Sequence, residues 1–165
     1  MTSSTDLQIT TATDQDLPQI LIFIKALAEY ERLADSVVAT EDILRQTLFG
    51  PRPYAECVIA RYKGEPAGFA LFFHNFSTFL GRPGIYLEDL FVNPDMRGKG
   101  VGRALLSHLA QIAVERRCGR FEWAVLDWNE SAIGFYKSLG AEPQNEWTVF
   151  RVTGDALTKL AKPTP

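Results

Sequence analysis

The stretch IYLEDLFVNPDMRGKGVGRALL, residues 85–106, decides the fold. Its first eight residues are apolar on both sides of one acidic pair, Glu88 and Asp89, which predicts a strand in the interior of a sheet. Beyond Pro94, the glycines Gly98, Gly100 and Gly102 alternate with Lys99 and Val101 between Arg97 and Arg103. From there Val101, Leu105, Leu109 and Ile112 recur at helical spacing, and the helix is expected to end near Cys118 and Gly119. In a strand-loop-helix unit the loop amides and the first-turn N–H groups lie beyond the strand end, where they form a ready anion site. Glycines let the backbone approach an anion closely and adopt positive φ. The same composition also suits a plain tight turn.

Working outward, YAECVIARY and AGFALFFHNF flank Lys63-Gly64-Glu65-Pro66 and predict an antiparallel hairpin. TEDILRQTLFG predicts a helix with Thr40 as N-cap, stopped at Gly50 by Pro51 and Pro53. An earlier helix opens near residues 14–18, with Leu17, Ile20, Leu21, Ile24, Leu27 and Ala28 at helical spacing, and residues 7–11 form a short first strand. Downstream, RFEWAVLDW predicts a strand and NESAIGFYKSLGA a helix with Asn129 as N-cap and Gly140 just past its end. EWTVFRV predicts a last strand, followed by a short helix over residues 155–161. The order β-α-α-β-β-β-α-β-α-β implies one mixed α/β sheet with helices on its faces, in a single domain over residues 1–165 with its core at about 7–161.

The chain has 165 residues, 46% of them hydrophobic, enough for one substantial core. A net charge of −3 supplies no global basic field, so neither nucleic acid nor an anionic membrane is an expected partner. Cys57 and Cys118 lie in apolar surroundings without metal-ligand spacing and are expected to be buried free thiols. His74 and His108 are isolated, so no metal site is expected. The N-terminal sixteen residues show no signal-peptide pattern and no apolar run reaches the ~20 residues of a membrane span, which predicts a cytoplasmic protein.

Three phosphate loops compete for the glycines. No GxxxxGK[ST] string exists, and the dinucleotide fingerprint requires GxGxxG in an N-terminal βαβ unit, whereas here the order is GxGxG past mid-chain. The third is the R-x-x-G-x-G loop that cradles the pyrophosphate of coenzyme A. With LAEYERLAD, FSTFLGR, YLEDLFV, RGKGVG, AVLDWN and FYKSLGA in this order, the chain from about residue 7 to 161 resembles the GNAT superfamily of N-acetyltransferases. It is most similar to the spermidine/spermine N-acetyltransferase family, in its thialysine-acetylating branch.

The resemblance implies a mostly antiparallel sheet flanked by helices, with a splayed V-shaped opening for acetyl-coenzyme A. It assigns Arg97, Gly98, Lys99, Gly100, Val101 and Gly102 to the pyrophosphate, and Leu90, Phe91 and Val92 to the pantetheine arm. Asn129 matches a further pantetheine contact and Tyr136 the tyrosine beside the coenzyme sulfur; Glu88 matches the acid that takes the amine proton through water. Tyr30 and Glu31 match an amine-contacting stretch. Ser77 and Thr78 stand where polyamine-acetylating relatives carry Asp-Pro, which favours a small amino acid with one side-chain amine. A homodimer is implied as well.

The chemistry needs such groups. A lysine-type amine, with a pKa near 10.4, has only about one molecule in two thousand deprotonated at pH 7, so a base must assist. A tyrosine hydroxyl suits protonation of the departing thiolate. On a regular strand Glu88 and Asp89 point to opposite faces, and spacing alone does not decide which is catalytic. Tyr136 shares a helical face with Ala132, Ile133 and Leu139, which also fits core packing. A coenzyme-binding regulatory module without turnover and an acetyltransferase for a protein or peptide amine are the alternatives.

Overall fold

The alternation around Lys63 and Gly64 becomes a hairpin in the computed structural model, which describes residues 6–164. Strands β2 (Glu56–Tyr62) and β3 (Glu65–Ser77) pair antiparallel across a two-residue turn. Lys63 at φ 50° and Gly64 at φ 85° both occupy the left-handed region, the geometry of the type I′ turn, whose twist matches that of the strands. β1 (Leu7–Thr11) lies antiparallel on β2, and β4 (Arg82–Val92) antiparallel on β3. β5 (Phe121–Trp123) runs parallel to β4, giving the order β1-β2-β3-β4-β5. The acidic-pair strand thus has neighbours on both sides, as its apolar flanks predict, but only as far as Leu87.

Both sheet faces are buried. Helices α1 (Leu17–Tyr30) and α2 (Glu41–Leu48) cover Cys57, Ile59, Phe69 and Phe91 with Leu17, Ile20, Phe23, Leu27, Leu44 and Leu48. Phe23 stacks on Phe69 with ring centroids 5.3 Å apart. Thr40 caps α2 as predicted, its hydroxyl oxygen accepting from the Ile43 amide. The alternate strand residues Val58, Ala60, Ala70, Phe72 and Ile85 are equally buried, on the side of α3 (Val101–Glu115), which contributes Val101, Leu105, Leu106 and Leu109. Each such side chain contributes about 2 kcal/mol on removal from water, so these two layers fix the strand register.

The chain divides into two compact units, one up to Leu126 and one from Asp127 onward. The second unit holds α4 (Glu130–Ser138) and α5 (Gly154–Leu160). Asn129 caps α4 by accepting from the Ala132 amide at 3.3 Å. Gly140, at φ 90°, turns the chain so that the Ala141 amide reaches back to the Tyr136 carbonyl, a Schellman-type end.

Four expectations are corrected. Only Phe121–Trp123 of RFEWAVLDW pairs as strand. Residues 146–152 form no strand, so the order ends α-α rather than α-β; β-favouring residues make a strand only with a ladder partner, and none is found among the described residues. Helix α3 ends at Glu115 rather than near Cys118 and Gly119, with Arg117 at φ 57° in the turn that follows. Cys118 is half-buried rather than buried, because the turn at the end of α3 lifts it out of the core; both cysteines are free.

Candidate functional site

The β3–β4 ladder is broken at one place. Leu71 pairs with Asp89 and Phe72 with Leu87, so Glu88 has no residue opposite it and forms a β-bulge. The expectation that Glu88 and Asp89 part to opposite faces requires an unbroken pleat, and the bulge removes that condition. Glu31, at the C-terminal cap of α1, completes a trio: burial and then the Glu88 charge push its carboxyl above the usual range. Asp89 is pushed up to about 6, first by burial and then by Glu88 and Glu31. Glu31 and Asp89 are thus each partly desolvated and each feel the charge of exposed Glu88, a setting in which a cation is favoured. On the same rung Cys57 pairs with Leu71 beside Asp89, and burial, Asp16 and Asp89 push its thiol up to about 12, so it is inert.

Beside the bulge the sheet opens. β5 accompanies β4 only from Ile85 to Leu87, and no strand among the described residues flanks residues 88–92 on that side. Leu90, Phe91 and Val92 lie on this open edge, with Phe91 buried and its neighbours half-buried. Unpaired N–H and C=O groups along such an edge accept an extended, amide-bearing chain as a further strand would bind.

The edge leads into the glycine loop. Gly98 and Gly100 both sit at φ 78°, and a Cβ built on either would meet nothing within 4 Å. A Cβ on Gly102 would touch only Val92 Cγ2, at 3.7 Å. Gly100 is the N-cap of α3 and offers no capping side chain, leaving the first helical amides directed at the open space. The loop cations rest on rings: the Arg97 guanidinium is 5.0 Å from the Tyr30 centroid and Lys99 Nζ is 5.5 Å from that of Tyr62. Neither pairs with a carboxylate among the described residues.

Ser77 and Thr78 lie apart from the bulge. Ser77, buried at the far end of β3, accepts from the Leu80 amide at 3.3 Å, with Thr78 in the following turn. Ser77 pairs with Arg82 five residues beyond Phe72, about 17 Å along the strand from the Glu88 bulge. Tyr136 is half-buried in α4, its ring 5.8 Å from that of Phe135. His74 Nε2 lies 3.3 Å from Arg116 Nη1, which with Nη2 clasps Glu56 at 2.6 and 2.8 Å, a strap between α3 and β2. That clasp holds the Glu56 carboxyl below its usual range. His108 is half-buried on α3, and no group of three or more metal-ligating side chains occurs among the described residues. Asp89 and Tyr62 are neighbours of the expected residues to which sequence reading gave no role: one depends on a bulge, the other on a contact between elements distant in sequence.

The acetyltransferase (GNAT) family profile matches residues 23–141, from within α1 to just past α4. The chain belongs to the GNAT acetyltransferase family. It is 40% identical over 161 residues to thialysine N-epsilon-acetyltransferase of Sus scrofa, covering 91% of this chain and 94% of that one. L-ornithine N5-acetyltransferase of Arabidopsis thaliana is 34% identical, with 94% of this chain and 88% of the relative covered. Among solved structures, an integron cassette protein from the mobile metagenome of V. cholerae superposes with a TM-score of 0.80 at 31% identity, over 96% of this chain and 99% of that one. This GNAT chain is an acetyltransferase enzyme, and acetyl-coenzyme A is the acetyl donor of its family. The open β4 edge and the uncrowded, cation-bearing glycine loop fit such a donor: one suits an amide-bearing arm, the other a pyrophosphate.

Proposed function

We propose that this GNAT enzyme acetylates the side-chain amine of a small amino acid of the thialysine or ornithine kind, with polyamines as the alternative substrates. The observation that carries this is the carboxylate trio Glu31, Glu88 and Asp89 beside the open edge of β4. It attracts an ammonium group by charge, and the edge presents the thioester next to it.

Acetyl-coenzyme A supplies an acyl carbon activated by a thiolate leaving group. In the step we assign, the amine nitrogen forms a bond to that carbon, the C–S bond breaks, and no bond to the protein forms. Glu88 receives the amine proton through water, and the Tyr136 hydroxyl donates a proton to the departing sulfur. Arg97, Lys99 and the amides of residues 98–102 hold the pyrophosphate, Leu90, Phe91 and Val92 pair with the pantetheine arm, and Asn129 adds a hydrogen bond to it. Tyr30 and Glu31 contact the amine; Ser77 and Thr78, lacking carboxylates, give no second anchor for a long polycation.

Free-thiol release with acetyl-coenzyme A and a panel of thialysine, ornithine, lysine, spermidine and a lysine-bearing peptide tests the proposal. Turnover is expected with the small amino acids and weakest with the peptide. Coenzyme binding without thiol release would instead establish a regulatory module, and preference for the peptide a protein acetyltransferase.

We further propose one domain, since the family match crosses the boundary between the two compact units, and a homodimer. Exposed Phe76, Phe79 and Leu80 at the β3–β4 turn and exposed Trp147, Val149 and Phe150 support self-association. The free thiols of Cys57 and Cys118 support a cytoplasmic setting.

A further inference from the structure

Lys63 and Lys99 share one aromatic ring. Their ammonium nitrogens lie 5.6 and 5.5 Å from the Tyr62 centroid, although one belongs to the β2–β3 turn and the other to the glycine loop. Neither has a carboxylate partner among the described residues. Lys63 moreover keeps a left-handed backbone at φ 50° in a turn where asparagine, aspartate or glycine is favoured. The arrangement recurs at the neighbouring cation, where Arg97 lies over Tyr30.

A ring differs from a carboxylate as a partner for a cation. A carboxylate neutralises the charge and competes with any incoming anion. A ring fixes the stem through its quadrupole and leaves the full positive charge available. We propose that Tyr62 is a positioning residue for the donor coenzyme: its ring holds Lys99 and Lys63 together as an un-neutralised pair that receives the coenzyme's phosphates, making Lys63 a phosphate-binding residue. This rests on the reading of residues 97–102 as the pyrophosphate loop. The coenzyme carries a 3′-phosphate besides the pyrophosphate, so a second lysine beside Lys99 has an anion to meet.

Isothermal titration of the full chain with coenzyme A and with 3′-dephospho-coenzyme A tests the inference. Tyr62→Leu keeps apolar bulk but removes the quadrupole, and is expected to raise the Kd for coenzyme A about fivefold. Tyr62→Phe keeps the ring and is expected to bind as the wild type does. Lys63→Gln is expected to weaken coenzyme A several-fold and the dephospho form less. The KM for acetyl-coenzyme A should follow the Kd, while the KM for the amine stays fixed, a split that general loss of fold does not give.

A wild-type chain that fails to bind coenzyme A overturns the loop reading and this inference together. Wild-type binding with an unchanged Tyr62→Leu overturns this inference alone. So does equal weakening by Tyr62→Leu and Tyr62→Phe, which would assign the effect to the hydroxyl. Equal affinity of Lys63→Gln and wild type for coenzyme A removes Lys63 from the site.

Discussion

Ionised Asp89 stands beside Glu88 and Glu31 with little water, and the consequence is a pH-dependent stability of definite sign. Its folded-state pKa of about 6 lies above the ordinary 3.8, so the stabilising contribution is complete below 3.8 and lost as pH rises through 6. Asp89→Asn removes that loss. It is expected to stabilise the protein at pH 8 by on the order of 2–3 kcal/mol and to have little effect near pH 4. Urea unfolding at the two pH values measures this, and an equal difference at both would show that Asp89 is not strained by its neighbours. For the reaction, Tyr136→Phe is expected to lower kcat about 100-fold with unchanged coenzyme affinity, as for a group acting in the chemical step. Unchanged kcat in steady-state assays would remove Tyr136 from the mechanism.

Strand β4 joins the core to the site, and its partner β3 shows what the pairing tolerates. Gly68 lies opposite Val92, where an added Cβ would overlap the carbonyl oxygen of Phe91, a backbone atom that cannot rotate away. Gly68→Ala is expected to cost about 1–3 kcal/mol, the range for overpacking a filled core, and to raise the KM for acetyl-coenzyme A by displacing the edge at residues 90–92. Thermal unfolding with coenzyme titration reads both; a wild-type melting temperature would contradict the close packing. Much of this was legible in the sequence, because IYLEDLFV, the Lys63-Gly64 turn and the Thr40 and Asn129 caps depend on local chemistry. The bulge at Glu88 was not, since register slips are set jointly by two strands and the layers that cover them. The missing strand at residues 146–152 and the short β5 have a related cause: residue type favours extension, but pairing requires a neighbour that periodicity does not reveal.

At the scale of the whole molecule, a chain of net charge −3 must bind an anionic donor and a cationic acceptor. Uniform charge would favour one and repel the other, so local fields have to do the sorting. Arg97 and Lys99 sit on rings without carboxylate partners at the glycine loop, while Glu31, Glu88 and Asp89 gather at the bulge. β4 carries Glu88 and Asp89 and leads beyond Val92 into the loop of Arg97 and Lys99, so the two fields adjoin along one stretch of chain. Both are partly open to solvent and lie within reach of ionic screening. Raising NaCl from about 0.05 to about 0.5 M shortens the screening length from roughly 14 to roughly 4 Å and is expected to raise the KM for acetyl-coenzyme A and for the amine together, each several-fold. Replacing the loop cation in Lys99→Gln should blunt the salt response of the coenzyme KM and leave that of the amine KM intact. Steady-state kinetics across the salt series reads the two responses separately, and a Lys99→Gln variant that blunted both equally would mean that the two fields are not independent.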